Sequence, residues 1–411
     1  MADAQVARAK AGARPKGTLT SVFGVVNGAR VGTPPAGLPP ELSFAFSDDG
    51  VNDLLNELNF FMRHELRIDQ PLYTFGKIRS GIAAAELGAE AREAELERAL
   101  DDAVLQTKRV YYGVKVSREV LRTLVEVEEA FGQAVDAAQA KLDEGSTDVT
   151  QTGLLQLRIA LARAQKGRLE VERAEAEATL AFRRAVGVAL TSSVAPDAAR
   201  LRPVELVPFA SIDAWVDVSQ HPAMRAAFAG ARAREKRVAV ERARLAPDFF
   251  ATIFFEGAWA PGRDDIDNPF VFDPFNIIRG GPALGLRWNL DVFDQLAQID
   301  IAQAKADRVR AEAERAATGL PLQIRRAFLE LEEKRAALQV AKRERKAGRT
   351  LSFLTLTNFR LGIGEPQEIM QSLGMYAQSA TGYARAIHAY NMAVARLSNA
   401  CSQELDAALL D

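Results

Sequence analysis

The sequence has few of the residues that mark redox sites, metal sites or transmembrane helices. Its single cysteine, Cys401, excludes an intrachain disulfide and any metal site built from several cysteines. The three histidines, His64, His221 and His388, are scattered without the spacing of metal ligands. No run of about 20 apolar residues occurs, so no transmembrane helix is predicted. We therefore expect neither a metal nor a cofactor.

An excess of charge of one sign is also missing. The formal net charge is -2, and acidic and basic residues interleave along the chain, as they do on solvated helix faces. Nucleic-acid binding needs a basic face, so no nucleic-acid partner is expected. The first residues lack the apolar core of a secretory signal, which taken alone predicts a cytoplasmic protein.

No constellation of catalytic residues stands out, so the chain is not expected to be an enzyme. Carboxylates are frequent on the predicted helices, but acid–base catalysis needs a pocket that shifts their pKa values, and no pattern marks one. The segment Gly362–Gly364 has the glycines of a phosphate-binding loop but follows a predicted helix, whereas such a loop follows a strand. Tyr111 and Tyr112 are interpreted as packing residues.

Two very long amphipathic helices dominate what is present. From Lys77 to Asp143 apolar residues recur with a period near 3.5, and no proline interrupts them. Such a helix would be about 100 Å long. A turn at Gly145 and a returning helix to about Val188 follow. A second long helix is predicted from Asp294 to Leu361, with a bend at Gly319 and Pro321, and its partner runs from Pro366 to about Glu404.

Four segments with alternating apolar and polar residues predict strands. Their predicted bounds are Thr18–Asn27, Phe60–Leu72, Asp248–Trp259 and Pro282–Leu290. Residues 28–59 and 261–281 are rich in glycine, proline and aspartate and are predicted to be loops. A further helix is predicted over 211–245, ended by Pro247.

These elements form an internal repeat. Leu72–Thr74 aligns with Val292–Asp294, Tyr111 with Phe328, and Leu142–Gly145 with Phe359–Gly362. We therefore divide the chain into residues 1–202 and 203–411, each a helix–strand–strand–helix–helix module. The first module carries a shortened leading helix and ends in a proline-rich connector.

The strands allow two interpretations. Each has the length of a membrane-spanning strand, and bilayers accept strands only in closed barrels, so several chains would have to share one barrel. In the alternative interpretation a small soluble sheet caps a coiled coil, and the protein is a scaffold without channel activity that holds partners by sheet addition. The position of each strand pair between helices favours a barrel mounted on a helical tube.

Several motifs resemble the TolC-like outer-membrane efflux protein family. They are Ala243–Pro247 before a strand, His221–Pro222 before the preceding helix, Gln70–Gly76 at a strand exit, and the paired turns Lys141–Gly145 and Asn358–Gly364. The resemblance covers nearly the whole chain and occurs in both halves. It implies a mainly helical fold, in which long α-hairpins form a periplasmic tube and four strands contribute to a shared, trimeric transmembrane barrel in the outer membrane.

The resemblance also implies function and partners. Members are homotrimeric exit ducts of tripartite efflux pumps or type I secretion systems, joined to an inner-membrane transporter through a periplasmic adaptor. With the barrel in the lipid of the outer membrane, the alternation predicts that one set of strand residues faces lipid: Leu66, Ile68, Leu284, Leu286 and Trp288. Arg287 and Asn289 are then predicted to face the lumen.

The helical turns are the implied site of opening. The resemblance places adaptor contacts at the two tips, on residues Gly145, Ser146, Thr147, Gly362, Ile363, Gly364 and Glu365. It places the periplasmic gate at Glu368 and Gln371, with Gln151 at the start of the first returning helix. Where family members often carry two acidic rings, this sequence keeps one acid and has one amide. A strong cation-binding constriction is therefore not expected. The transported substrate is not readable from the sequence.

The start of the chain gives one further expectation. Helical residues precede the third strand over 211–245 but precede the first strand only over 2–13. By the internal repeat, we expect a helix and a secretory signal encoded upstream of Met1. The alternative is a degenerate, cytoplasmic copy with an unfilled groove.

Overall fold

The computed structural model describes residues 2–27, 58–145, 149–207, 218–261 and 274–407. The helices are α1 (Ala2–Ala11), α2 (Lys77–Asp143), α3 (Gln151–Ala185), α4 (Pro222–Ala243), α5 (Val292–Arg360) and α6 (Pro366–Cys401). The strands are β1 (Lys16–Asn27), β2 (Leu58–Tyr73), β3 (Asp248–Trp259) and β4 (Ile277–Arg287). The order helix–strand–strand–helix–helix thus occurs twice, and the predicted fold class, mainly helical with a small sheet, is confirmed.

The chain separates into two compact units. One contains residues 1–92 and 228–311, and the other contains residues 93–227 and 312–411. Each unit takes segments from both halves of the sequence. The predicted boundary between residues 202 and 203 divides the chain into sequence repeats rather than compact units, and as a domain boundary it stays a prediction.

The first unit is built around a four-stranded antiparallel sheet in the order β1-β2-β3-β4. Next to it α4 contacts α2, where Arg232 pairs with Glu90 at 3.1 Å. It also contacts α5, where Gln295 donates to the Glu241 carbonyl at 3.0 Å. Gly81 of α2 faces Val240 of α4, where an added Cβ would make an ordinary van der Waals contact at 3.9 Å.

Strand β4 differs most from its prediction, since it begins five residues earlier and ends three residues earlier. Gly280 and Gly281 made its first half resemble a loop, yet Ile277 and Ile278 pair with Ala258 and Gly257. Pro282, which has no N–H to donate, lies within β4, which among the described strands pairs only with β3.

The predicted end of β4 at Leu290 is wrong. The Asn289 side chain accepts a hydrogen bond from the Asp291 N–H at 3.2 Å, and the Val292 N–H donates to the Leu290 carbonyl at 2.9 Å. These local bonds turn the chain into α5, so Trp288, Asn289 and Leu290 follow the strand instead of belonging to it.

The other boundaries shift less. β3 has the predicted bounds, and β1 and β2 are slightly longer than predicted. Of the helix predicted over 211–245, residues 211–217 lie outside the described part of the chain, and α4 begins only at Pro222. α5 is one continuous helix that includes Pro321.

The second unit contains two apolar cores. One lies where α5 and α6 meet the connector after α3, and it includes Tyr112, Met224, Ile324, Leu331 and Leu397. The other lies beneath the helical turns, and it includes Phe131, Leu157, Phe359, Ile369 and Leu373. The predicted apolar stripe of α2 is only partly buried, because Leu96 and Leu100 are exposed whereas Phe131 and Ala138 are buried.

The connector after α3 is held by polar contacts to α2 and α6. The Lys115 ammonium donates to Asp197 at 2.7 Å, and the Tyr111 hydroxyl donates to the same carboxylate at 2.9 Å. These bonds lower the pKa of Asp197 to about 2.

Asn391, buried in α6, accepts from the Val204 N–H at 3.0 Å and donates to the Arg202 carbonyl at 2.9 Å. Tyr111 and Tyr112 pack in this region.

Candidate functional site

The turn between α5 and α6 has the hydrogen bonds of a Schellman motif. The Gly362 N–H donates to the Phe359 carbonyl at 3.2 Å, and the Ile363 N–H donates to the Asn358 carbonyl at 2.9 Å. Gly362 has a φ of +83°, a conformation that side chains disfavour. The motif leaves Leu361 and Ile363 pointing away from the core, and both are more than two-thirds exposed.

The two returning helices begin side by side. Thr150 caps α3, because its hydroxyl accepts the Gly153 N–H at 3.1 Å. At α6 the extended residue Glu365 makes no side-chain cap, and Pro366 occupies the first turn. A Cβ placed on Gly153 would lie 3.0 Å from the Pro366 ring. Glycine at residue 153 therefore lets the first turns of α3 and α6 approach closely.

Phe359 packs into the core beneath the helical turns and contacts the end of α2. Its side chain is fully buried in the core beneath the turns. The Lys141 ammonium donates to the Phe359 carbonyl at 2.6 Å and lies 4.6 Å from the centre of the Phe359 ring. A cation at the last carbonyls of a helix complements the helix dipole. The ends of α2 and α5 are thus tied by one side chain.

Polar and small residues line the contact between α5 and α6 above this core. The Thr355 hydroxyl donates to the Ser372 hydroxyl at 2.6 Å. Gly348 faces Ser379 so closely that an added Cβ would overlap the Ser379 side chain. The Tyr376 hydroxyl donates to Glu126 at 2.8 Å, and burial, helped by this bond, raises the pKa of Tyr376. Nothing in the sequence pattern singled out this Tyr376–Glu126 pair, because tyrosine at a core-facing helical position reads as packing.

The predicted gate residues occupy the surface of the same turns. Glu368, Gln371 and Gln151 are exposed, and within the described part of the chain no hydrogen bond or ion pair joins their side chains. Gly145, with a φ of +76°, lies two residues after the end of α2. Glu365 and Gly364 lie in the turn before α6. Ser146 and Thr147 lie outside the described residues. The roles of all these residues remain predictions.

The register of the sheet sorts its residues into two faces, because paired residues point to the same side. Leu66 pairs with Leu19 and with Phe255, and Ile68 pairs with Ile253. Leu284 and Leu286 pair with Ala251 and Phe249 and lie on the same side. This apolar face consists mainly of Leu19, Phe23, Val25, Phe60, Met62, Leu66, Ile68, Ile253, Phe255, Trp259, Ile278, Pro282, Leu284 and Leu286.

Ion pairs occupy the opposite, polar face. Glu256 accepts from Arg63 and, at 2.6 Å, from Arg279, and Arg63 also pairs with Glu65 at 2.6 Å. We call these four residues the Glu256 cluster. Each arginine faces a carboxylate on its own or a neighbouring strand, so the cluster carries no net charge. The sheet is therefore amphipathic over β2, β3 and β4, where these ion pairs lie opposite the apolar face.

Trp288 departs from its predicted role as a strand residue. It follows β4, and its indole N–H donates to the Leu245 carbonyl at 3.0 Å. The hydrogen bond holds the ring beside the end of α4, with about half of its surface exposed. A Trp with one polar contact and one open face suits an interface between apolar and wet surroundings.

Two kinds of site are absent from the part of the chain that the structure describes. None of the helices described is both long and apolar enough to cross a membrane. In the same residues, no three His, Cys, Asp or Glu side chains gather in a way that would hold a metal ion. Cys401 is buried in the core, and burial raises the pKa of its thiol to about 11.

A family model described as outer membrane efflux protein matches residues 62–188 and 218–401. The chain belongs to the outer membrane efflux protein family. Membership confirms the predicted resemblance and the outer-membrane location, and it places the chain among efflux proteins rather than enzymes.

Solved outer-membrane channels share the fold. The CmeC channel of Campylobacter jejuni is 14% identical with a TM-score of 0.74, covering 98% of this chain and 81% of CmeC. VceC of Vibrio cholerae is 14% identical with a TM-score of 0.75, and the match covers 98% of this chain and 90% of VceC. MtrE of Neisseria gonorrhoeae, in its open state, is 13% identical with a TM-score of 0.74, and the match covers 98% of this chain and 84% of MtrE. No curated protein sequence matches the chain.

Proposed function

We propose that this efflux protein is one subunit of a homotrimeric exit duct, whose helical tips open when a periplasmic adaptor docks. The observation that carries the proposal is the amphipathic sheet with two open edges. Among the described strands β1 pairs only with β2, and β4 pairs only with β3. Membranes accept strands only when every edge is paired, so β4 of one chain has to pair with β1 of the next.

The two faces fit such a shared barrel. A membrane barrel alternates apolar residues toward lipid with polar residues toward its lumen. The apolar face with Leu66, Ile68, Leu284 and Leu286 would contact outer-membrane lipid, and the Glu256 cluster would line the water-filled interior. Trp288, held beside Leu245, would lie at the rim of the membrane.

The tips fit the role of the adaptor-contacting end. Leu361 and Ile363 present apolar side chains on a hydrogen-bonded turn, and Glu365 leaves the α6 terminus without a side-chain cap. We assign adaptor contacts to Gly145, Gly362, Ile363, Gly364 and Glu365, and the gate to Glu368, Gln371 and Gln151. An inner-membrane transporter would deliver the solute, in a tripartite pump or a type I secretion system.

Cysteine cross-linking tests the shared barrel. Thr20 on β1 and Arg279, Gly281 and Ala283 on β4 all lie on the polar face. Within one chain β1 and β4 are three strand spacings apart, about 14 Å, which is too far for a disulfide. Double variants such as Thr20→Cys with Gly281→Cys should therefore form covalent dimers and trimers in isolated outer membranes. The native Cys401 is buried, which keeps the background low.

The outcome is decisive in both directions. A ladder ending at the trimer for one β4 position, and none for the single-cysteine variants, supports the proposal. Monomers at all three β4 positions, from a protein found in the membrane fraction, would show that the sheet edges do not meet between chains.

A further inference from the structure

A second charged cluster on the polar face differs from the Glu256 cluster in its charge balance. It consists of Arg67 and Asp69 on β2, Phe250 on β3, and Gly285 and Arg287 on β4, and we call it the Arg287 cluster. Arg67 donates to Asp69 at 2.9 Å, and Arg287 lies 3.7 Å from the same carboxylate. Two guanidinium groups thus share the Asp69 carboxylate. Asp248, which pairs with Arg287 in the register and lies on the same face, is bound by Lys77, so the cluster keeps one positive charge.

The ring of Phe250 supports both arginines. It lies over Gly285 so closely that a Cβ there would overlap the ring, so only glycine leaves room for it. The guanidinium of Arg287 is 5.0 Å from the ring centre and that of Arg67 is 5.9 Å away. Cation–π contacts at these distances are favourable, and they hold the two side chains against the sheet.

In the part of the chain that the structure describes, no hydrogen bond engages the Arg287 guanidinium. Its side chain is 67% exposed, and at 3.7 Å its contact with Asp69 is an ion pair that is too long for a hydrogen bond. By contrast, Arg279 of the Glu256 cluster donates to its carboxylate at 2.6 Å. A planar, weakly hydrated guanidinium held on an aromatic ring suits the two-point recognition of a carboxylate.

We propose that the Arg287 cluster is a binding site for anionic solutes, carboxylates in particular, on the wall of the duct. The inference rests on the proposed function, because it requires the polar face to line the lumen. Three chains then place three such clusters around one water-filled path. Each cluster attracts anions and supplies one guanidinium group, which can bind a carboxylate through two hydrogen bonds. The barrel therefore has a binding site for organic anions in addition to the neutral Glu256 cluster.

Planar-bilayer recordings with purified protein test the site. In a potassium chloride gradient, Arg287→Gln should lower the permeability of chloride relative to potassium by up to about fivefold, the effect of a unit charge near contact distance in water. Arg279→Gln is the matched control for charge: it leaves the Glu256 cluster with one surplus negative charge, so it should lower the chloride permeability to a similar extent but keep the benzoate effect. Benzoate added to the bath should reduce the wild-type current, and Arg287→Gln should abolish that reduction.

A conservative variant separates charge from shape. Arg287→Lys should keep the chloride preference but lose most of the benzoate effect, because an ammonium lacks the two-point fork. All variants are first checked as trimers in detergent. An equal loss of the benzoate effect in Arg287→Gln and Arg279→Gln, or wild-type channels indifferent to benzoate, would overturn the anion site while leaving the duct intact. Wild-type trimers that conduct nothing would instead refute the proposed function on which the site depends.

Discussion

Gly362 is the residue on which the turn between α5 and α6 depends. Its positive φ allows both hydrogen bonds of the turn, and a side chain in this conformation costs about 1–2 kcal/mol. Gly362→Ala should therefore make local opening about 5- to 30-fold more frequent. Hydrogen exchange at the Gly362 and Ile363 amides would measure it.

Gly374→Ala provides the control for this prediction. Gly374 lies inside α6, and an added Cβ would meet no atom within 4 Å. Alanine favours a helix by about 1 kcal/mol over glycine, so this variant should slow exchange or leave it unchanged. If Gly362→Ala behaved like Gly374→Ala, the positive φ would not constrain the turn.

His221 caps α4 through a single neutral tautomer. Its Nδ1 accepts the Ala223 N–H at 3.1 Å, so the proton resides on Nε2, which donates to the Ala400 carbonyl at 3.2 Å. Burial is the main cause that lowers the pKa of His221. Arg98 also lowers it, while Asp101 and the Ala400 carbonyl raise it. Protonation would remove the acceptor that caps the helix.

This geometry predicts the sign of a pH dependence. Because the folded pKa lies below the unfolded value near 6.5, the unfolded chain binds more protons between the two values. Stability should be independent of this group above about pH 7 and should fall as the pH drops toward the lowered pKa. His221→Asn keeps a capping oxygen without a titrating ring and should flatten the slope in denaturant unfolding between about pH 7 and pH 5. An unchanged slope would exclude His221 as its origin.

At the scale of elements, the two faces of β4 should respond differently to charge. Leu284 lies on the apolar face, and its neighbour Ala283 lies on the polar face, with both side chains exposed in the chain. An arginine facing lipid costs about 2–4 kcal/mol at the membrane midplane. Leu284→Arg should therefore reduce the yield of folded trimer in outer membranes, whereas Ala283→Arg should be tolerated. Equal yields would contradict the assignment of the apolar face to lipid.

The elements also show how far sequence patterns reach. The long helices and all four strands are predictable, because periods of 3.5 and 2 persist over many residues there. The bounds of β4 are not, since Gly280 and Gly281 suggest a loop and only pairing with Phe254 and Phe255 makes them a strand. The local turn at Asn289 is equally hidden, because the alternation from Leu284 to Leu290 continues past it.

The candidate sites also differ in how much of them the sequence predicts. The positions of the tips follow from glycines between helical runs, so Gly145 and Gly362 are predictable. Arg287 was predictable as a polar-face residue. Its surplus charge was not, because it depends on which strand brings Asp69 and Phe250 beside it. The pairing register between the strands determines which residues face Arg287, and a single sequence does not show that register.

For the whole molecule, selectivity depends on how three copies add their charges around one axis. Glu368 is exposed in the first turn of α6, and its partner position in the family pattern holds the amide Gln371. If Glu368 lies at the closed end of the duct, three like carboxylates would attract cations. Glu368→Gln should then lower the permeability of potassium relative to chloride, opposite in sign to Arg287→Gln.

Two comparisons make the Glu368 prediction specific. Glu365→Gln removes the same charge from the turn before α6 and should have a weaker effect if the narrowest point is at Glu368. Gln371→Glu restores an acid at the other gate position and should strengthen the preference for potassium. A reversal potential unaffected by both Glu368→Gln and Gln371→Glu would place the constriction elsewhere along the duct.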